Sequence, residues 1–177
     1  MIYASEAIEK EALFEVAKLM AAAARTAPKA KGVDAILTMV VDGEEKDAIA
    51  AEMRLIAERQ SGPSPFARDA GNVDASPYVV LVAVVDKHAG LENCGACGFE
   101  DCEASKAAEG PCAFNLSDLG TAAGSACAVA SHHWVDNRMM YTVGKAAKNI
   151  DLFGTDVRQC YGIPISAKGK SIYFDRK

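Results

Sequence analysis

The ten residues PYVVLVAVVD, from Pro77 to Asp86, constrain the fold more than any other stretch of this chain. Apolar and mostly β-branched side chains follow one another there without polar alternation, which predicts a strand. A strand that is apolar on both sides has to be covered on both faces, so other elements must pack above and below it. The sequence therefore predicts a central, fully buried strand.

Helices and a second strand precede this run. Residues 5–25 carry apolar side chains near helical period and predict a first helix, with Ser5 as its N-cap. Residues 35–42 predict a buried strand, and residues 44–60 predict a second helix with its charged side chains on one face. Residues 61–76 are rich in Pro, Gly, Ser and Asp, which predicts a loop.

The part of the chain that follows predicts two more long helices and two more strands. Residues 115–135 predict a helix rich in glycine and alanine, with Ser117 as its N-cap and small residues spaced so that another helix can approach closely. Residues 137–153 predict the next helix, and residues 157–165 and 169–177 predict strands.

The chain is long enough for a substantial core. A chain of 177 residues buries about 70% of the surface that it exposes when unfolded, so it does not depend on disulfides. Without an internal repeat or a second core, residues 1–177 are predicted to form a single domain in which helices and strands both contribute, of α+β or α/β class.

The charge and hydropathy of the chain argue against nucleic-acid binding and against a membrane span. The formal net charge is −5 and there is no cluster of Lys and Arg, so the chain lacks the electrostatic footprint of a nucleic-acid-binding protein. The N-terminal residues lack the apolar stretch of a secretory signal, and residues 119–131 are too few to span a bilayer. We expect a cytoplasmic protein without a membrane span.

Four of the six cysteines lie in residues 92–112, ENCGACGFEDCEASKAAEGPC. In a reducing compartment such a group indicates metal or redox chemistry rather than disulfides. Four thiolates complete the ligand shell of an iron-sulfur cubane or of one zinc ion. The spacing is Cys94-x2-Cys97-x4-Cys102-x9-Cys112. Because a zinc site of this kind has two Cys-x2-Cys pairs, the spacing favours iron-sulfur and leaves zinc as the alternative.

The segment CGACGFEDC is similar to the Cys-x2-Cys-Gly-x3-Cys signature of small four-cysteine 4Fe-4S modules in anaerobic electron-transport and corrinoid iron-sulfur proteins. In those modules the fourth cysteine lies further downstream than Cys112 does. The resemblance implies a 4Fe-4S cluster that passes single electrons, with the ligands Cys94, Cys97, Cys102 and Cys112. The two remaining cysteines, Cys127 and Cys160, are interpreted as small buried side chains.

The order of several segments resembles the flavin-dependent nitroreductases. These segments are AARTAPKAKGVDAILTMVV, AEMRLIAERQ, ASPYVVLVAVVD and LFGTDVRQCYGIPISAKGKSIYFDRK. The chain is still more similar, from end to end, to an uncharacterised group of prokaryotic ferredoxin-domain proteins, through AARTAPKAKGVD, the cysteine run and GIPISAKGKSIYFDR. The resemblance implies an α+β fold with a nitroreductase-like mixed sheet flanked by helices, and a ferredoxin-type cysteine loop inserted at residues 92–112. It also implies a homodimer.

The same resemblance implies FMN as a cofactor. Nitroreductases hold the FMN phosphate with an Arg-x-Ser-x-Arg segment near the N-terminus, which this chain lacks. The cations expected to bind the phosphate here are Arg25, Lys29, Lys31 and, in the tail, Arg176.

Three functions follow from these patterns: a nitroreductase-like oxidoreductase with a flavin and a small-molecule redox substrate, an electron carrier that serves a partner protein, and a zinc-stapled structural or interaction protein. The sequence identifies neither the substrate nor the electron partner.

Overall fold

The computed structural model describes residues 1–174, so Arg176 lies outside the described residues. The helices are α1 Ser5–Thr26, α2 Gly43–Glu58, α3 Pro65–Asp74, α4 Cys102–Ala107, α5 Ala113–His132 and α6 Tyr141–Asn149. The strands are β1 Ile36–Val41, β2 Tyr78–Val85, β3 Asp136–Asn137 and β4 Val157–Ser166. None of the helices within residues 1–174 is both long and apolar enough to span a membrane.

The strands form one sheet in the order β1-β2-β4-β3, with β2 between β1 and β4. Val80 of β2 pairs with Val40 on one side and with Ile163 on the other. The predicted α+β class, with helices flanking a sheet, is confirmed. Every strand pairing within residues 1–174 is antiparallel, so the sheet there is not the mixed sheet that was expected.

The two faces of β2 supply two separate cores. Val80, Val82 and Val84 pack with residues of α1 and α5. Val79, Leu81 and Ala83 alternate with them and pack with residues of α2, α3 and α6 on the opposite face. All six side chains are fully buried. The prediction of a central strand that is covered on both faces is therefore confirmed.

Residues 61–76, which were predicted to be a loop, contain helix α3. The Ser64 hydroxyl accepts the Phe66 N–H at 3.2 Å, and Pro65 occupies the first helical position, where its missing N–H costs nothing. Phe66, Ala70 and Val73 are buried at helical spacing. The Pro, Gly, Ser and Asp residues of this segment predict a loop, but packing against the core stabilises a short helix there.

Two predicted N-caps are wrong. The residue at the N-cap of α1 is Ala4, and the Ser5 hydroxyl instead donates to a Glu9 carboxylate oxygen at 2.7 Å. Helix α5 begins directly after Cys112, so Ser117 lies within the helix. The apolar periodicity located both helices but not their first residues, because capping depends on the local backbone conformation.

The helix predicted for residues 137–153 is shorter, since only α6 is helical. The residues before it are held against β4, where Met140 and Gly162 exchange two backbone hydrogen bonds of 2.8 and 3.0 Å. The strand predicted for residues 169–177 is absent from its described part, residues 169–174. Tyr173 is buried there, with its hydroxyl 2.8 Å from that of Ser76.

Helix α6 crosses β4 so closely that a glycine is required at the crossing. A Cβ added to Gly144 would lie 1.8 Å from the carbonyl oxygen of Cys160. We expect Gly144→Ala to lower the free energy of unfolding by about 2–3 kcal/mol, because α6 must move away from the sheet. Urea denaturation measures this change.

Gly71→Ala is the matched control, since no atom lies within 4 Å of the added Cβ in helix α3. This substitution is expected to raise stability by about 0.5–1 kcal/mol through helix propensity. Equal effects of the two substitutions would contradict the close crossing.

Candidate functional site

The cysteine loop, residues 92–112, leaves the sheet after β2 and ends at the start of α5. Cys112 is the N-cap residue of α5, and Cys102 is the first residue of the short helix α4. The chain makes a tight turn from Gly95 to Gly98, around Cys97, in which the Gly98 N–H donates to the Gly95 carbonyl at 2.9 Å. Both glycines have positive φ, 57° and 85° for Gly95 and Gly98, a conformation that other residues rarely adopt.

The four cysteines of the loop differ in exposure. Cys112 is buried, whereas Cys94, Cys97 and Cys102 are half-buried. No group of three or more His, Cys, Asp or Glu side chains within residues 1–174 is placed to hold a metal ion. The structure thus puts all four cysteines on one loop but does not gather their sulfur atoms around one point.

The environment of the Cys97 sulfur favours its charged form. The backbone N–H of Phe99 and, to a smaller extent, the hydroxyl of Ser105 hold the pKa of the Cys97 thiol below its ordinary value. A donor near the sulfur favours the thiolate, because the negative charge is a stronger acceptor than the neutral thiol. The thiolate is also the form that binds metals.

Ser105 links the cysteine loop to another part of the chain. It lies on α4 and is fully buried. Its hydroxyl oxygen is 3.0 Å from His88 Nε2 and 3.3 Å from the Gly110 carbonyl oxygen. These contacts join the middle of the cysteine loop to the segment that follows β2.

Cys112 has a donor of its own. The Ala89 N–H donates to Cys112 Sγ at 3.5 Å. Ala89 follows His88 directly in the chain, so two consecutive residues contact Ser105 and Cys112. The segment that follows β2 therefore contacts both helix α4, through Ser105, and the last cysteine of the loop.

The cysteines outside the loop have a different environment. Burial raises the pKa of Cys127 to about 11 and the pKa of Cys160 to about 12. Both thiols stay protonated near neutral pH and are poor metal ligands. Cys160 fits the predicted small buried side chain, while Cys127 is half-buried.

The predicted phosphate-binding cations at the end of α1 have partners within the protein. Lys29 Nζ donates to the carbonyls of Ala27 and Ala24, at 2.8 and 3.4 Å, and to that of Arg25. Its side chain is only 6% exposed, with Nζ 3.9 Å from a carboxylate oxygen of Asp34. Lys29 thus neutralises the carbonyl end of the helix, where a positive charge is favourable.

Arg25 and Lys31 are placed differently. Arg25 Nε is 3.0 Å from an Asp34 carboxylate oxygen, and its guanidinium also donates to the Ile36 carbonyl. Lys31 is exposed, with Nζ 3.5 Å from the Gly90 carbonyl oxygen just before the cysteine loop. Each of the three cations that were predicted from this segment therefore contacts a group of the protein, and the contact of Lys31 is a long one.

Three residues near the loop were not identified from the sequence as part of a site. They are His88, Ser105 and Asp118, whose carboxylate accepts the Ala30 N–H with oxygen distances of 3.0 and 3.1 Å. Their hydrogen-bond partners are distant in the sequence or lie in irregular backbone. No periodic pattern of residues therefore indicates these contacts. The position of Ser105 within a run of four cysteines is the nearest available signal.

An open cleft of about 680 Å³ lies beside the loop, between the end of β2 and the start of β4. Arg158 crosses one side, with its guanidinium 2.9 Å from the Glu109 carbonyl oxygen and 3.6 Å from an Asp86 carboxylate oxygen. The lining carries charges of both signs: Lys87, Lys106 and Arg158, and Asp86, Glu109 and Asp156. The imidazole of His88 also lines it.

The different thiol environments predict selective alkylation. In protein treated with a chelator, we expect iodoacetamide at pH 7 to modify Cys97 before Cys127 and Cys160. The lowered pKa of Cys97 increases its thiolate fraction, whereas burial raises the pKa of the other two thiols and keeps them protonated. The advantage of Cys97 should shrink as the pH rises toward 9. Peptide mass spectrometry over time measures each site, and equally rapid labelling of Cys160 would contradict this order.

Solved structures share this architecture. A nitroreductase with bound FMN from Desulfitobacterium hafniense DCB-2 superimposes with a TM-score of 0.62 over 88% of this chain and 78% of its own, at 16% identity. A putative nitroreductase in complex with FMN from Desulfovibrio desulfuricans gives a TM-score of 0.59 over 92% of this chain and 78% of its own, at 12% identity. These likenesses confirm the nitroreductase-like fold.

Sequence comparison identifies the family. Residues 108–176 match the family described as "Uncharacterized protein containing a ferredoxin domain", a stretch that includes Cys112 but not the three preceding cysteines. An uncharacterized protein of Archaeoglobus fulgidus is 44% identical, over 99% of this chain and 98% of its own length. With such a relative over nearly its whole length, this protein belongs to the family of uncharacterised proteins that contain a ferredoxin domain.

Proposed function

We propose that this protein is a redox protein that holds a 4Fe-4S cluster on Cys94, Cys97, Cys102 and Cys112 and transfers single electrons. The observation that carries the proposal is that four cysteines lie on one loop, where the pKa of the Cys97 thiol is lowered and Cys112 Sγ accepts the Ala89 N–H at 3.5 Å. Membership in a family described by its ferredoxin domain supports it.

The loop supplies ligands of the right type and number, while its four sulfur atoms are not gathered around one point in this structure. Four thiolates satisfy a cubane cluster without any other ligand, and the lowered pKa of Cys97 favours the thiolate form that binds metals. When bound, the cluster supplies a one-electron redox centre. The half-buried positions of Cys94, Cys97 and Cys102 keep this centre close to the surface, which suits exchange with a partner protein.

The charge around the loop acts on the reduction potential. Five acidic side chains of the loop are exposed: Glu92, Glu100, Asp101, Glu103 and Glu109. Their negative charge disfavours an added electron and therefore lowers the potential. Lys106 offsets part of this charge, since its ammonium is 2.7 Å from a carboxylate oxygen of Glu103.

A flavin-dependent oxidoreductase is the second candidate, favoured by the two structural neighbours that contain FMN. The contacts of this chain fit the FMN phosphate poorly at the predicted place. Arg25 is paired with Asp34, and Lys29 is buried against the carbonyls that end α1. Lys31 is exposed, with its ammonium 3.5 Å from the Gly90 carbonyl oxygen.

The main prediction concerns iron. Protein purified without oxygen is expected to contain about four irons and four sulfides per chain, with a broad visible band that dithionite bleaches. Cys97→Ser should abolish this content, because a ligand is lost. Cys127→Ala is the matched control: that cysteine lies on α5, outside the loop, and its loss should leave the iron content unchanged.

Other contents would overturn the proposal in distinct ways. One zinc per chain without a visible band would make the loop a structural staple. A yellow compound released on denaturation, without iron, would establish the flavin protein instead.

A second copy of the chain is the partner that we propose for the outward side of α1 and α5. Ile8, Leu19 and Phe114 are exposed there, and Gly120 and Gly124 leave open space for another helix to approach. We expect light scattering to give the mass of a dimer, and Gly124→Arg to give that of a monomer. A monomeric mass for the unaltered protein would contradict this assembly.

A further inference from the structure

An open cleft of about 390 Å³ lies where helices α2, α3 and α6 meet strand β4. Among residues 1–174, none of those that line it belongs to the cysteine loop. A cleft of this size accommodates a small organic molecule, and the chemistry of its lining indicates which class of molecule fits.

Aromatic and apolar groups form one part of this cleft. Phe66 and Cys160 line it and are buried, with 4% and 2% of their surfaces exposed, so they form its floor. The rings of Phe66 and Tyr141 meet edge to face, with their centroids 5.7 Å apart. Tyr141 is 53% exposed, so its ring is open to a further contact. Aromatic rings pack favourably against one another in such arrangements, and a planar ring of a ligand extends this pair.

Two lysines of α6 supply positive charge to the same cleft. Tyr141, Lys145 and Lys148 are spaced at i, i+4 and i+7, which places them on one face of the helix. Lys145 is exposed, and its ammonium has no hydrogen-bond or ion-pair partner within residues 1–174. Lys148 Nζ donates to the Arg158 carbonyl at 3.3 Å, which uses one of its three protons. Both ammonium groups therefore retain protons for an anion.

The described lining of this cleft contains no acidic residue, although the chain carries a formal net charge of −5. The cleft beside the cysteine loop differs, because acids and cations both line it. Positive charge that the lining does not neutralise attracts an anion. A carboxylate suits this lining better than a phosphate, since no arginine is present among these residues to bind a phosphate through two hydrogen bonds.

We propose that this cleft binds a small planar aromatic carboxylate. The ring of the ligand packs against Tyr141, and its carboxylate accepts hydrogen bonds from Lys145 and Lys148. The binding involves neither the cysteine loop nor a cluster, so it goes beyond the proposed function and does not depend on it. Helices α1 and α5 cover the opposite face of the sheet, so a dimer formed through them leaves the cleft open.

The close crossing of α6 and β4 fixes the position of the lysines. A Cβ added to Gly144 would lie 1.8 Å from the Cys160 carbonyl oxygen, so helix and strand touch at this point. Gly144 and Cys160 both line the cleft, and Lys145 follows Gly144 directly in the chain. The two ammonium groups thus extend from a packed helix, which holds a binding site more precisely than a loop does.

Isothermal titration calorimetry of the whole protein with 2-naphthoate tests the proposal. Cyclohexanecarboxylate keeps the carboxylate without an aromatic ring, and 2-naphthalenemethanol keeps the rings without the charge. We expect one 2-naphthoate to bind per chain, about tenfold more tightly than either related compound. Absence of 2-naphthoate binding, or equally tight binding of either related compound, would overturn the proposal.

A pair of lysine variants tests the place of the carboxylate. We expect Lys145→Gln to weaken 2-naphthoate binding about threefold to fivefold, as for the loss of an exposed ion pair. Lys168→Gln is the matched control, because it removes the same charge from an exposed lysine that lines a different cleft, near the start of α1. It should leave the affinity unchanged. Equal weakening by the two substitutions would mean that net charge alone attracts the ligand, and the proposal would be wrong.

A third variant tests the place of the ring. Tyr141→Leu removes the aromatic ring but keeps an apolar side chain beside Phe66, so the fold is expected to persist, which circular dichroism checks. We expect it to weaken 2-naphthoate binding about fivefold and to leave the binding of cyclohexanecarboxylate unchanged. An unaltered affinity for 2-naphthoate in this variant would place the ligand elsewhere and overturn the proposal.

Discussion

The burial of β2 on both faces is the constraint on which the rest of the structure depends. Its side chains alternate between one core shared with α1 and α5 and another shared with α2, α3 and α6. A strand covered in this way has no exposed face, so this segment of the chain meets solvent only beyond the ends of the strand. The cysteine loop begins just after β2 and ends at α5, and both of these elements belong to the same core.

This placement explains how an irregular loop obtains defined positions for its sulfurs. The loop contains one short helix, and it gains order from contacts with anchored residues. His88 and Ala89 extend from the central strand, and Cys112 is fixed at the start of α5. Fixed ends at the central strand and at α5 keep the polar contacts of the loop in a defined arrangement.

The cations near the end of α1 illustrate how one residue pattern serves two purposes. Positive charges after a helix suit a phosphate, and they suit equally the carbonyls that the helix leaves without partners. Lys29 takes the second role, and Arg25 pairs with Asp34 across the following turn. Sequence alone does not separate the two roles, because the nearest partner of a lysine is set by the path of the backbone after Pro28.

The sequence by itself determined the central strand, the long helices α1, α2 and α5, and the grouping of four cysteines in one loop. These features depend on local periodicity and spacing, which the order of residues records directly. Tertiary structure alone decided that residues 65–74 form a helix, that every pairing in the described sheet is antiparallel, and that Ser105 of the cysteine loop contacts His88. Each of these depends on contacts between distant residues, whose free energy appears only when the two cores have formed around β2.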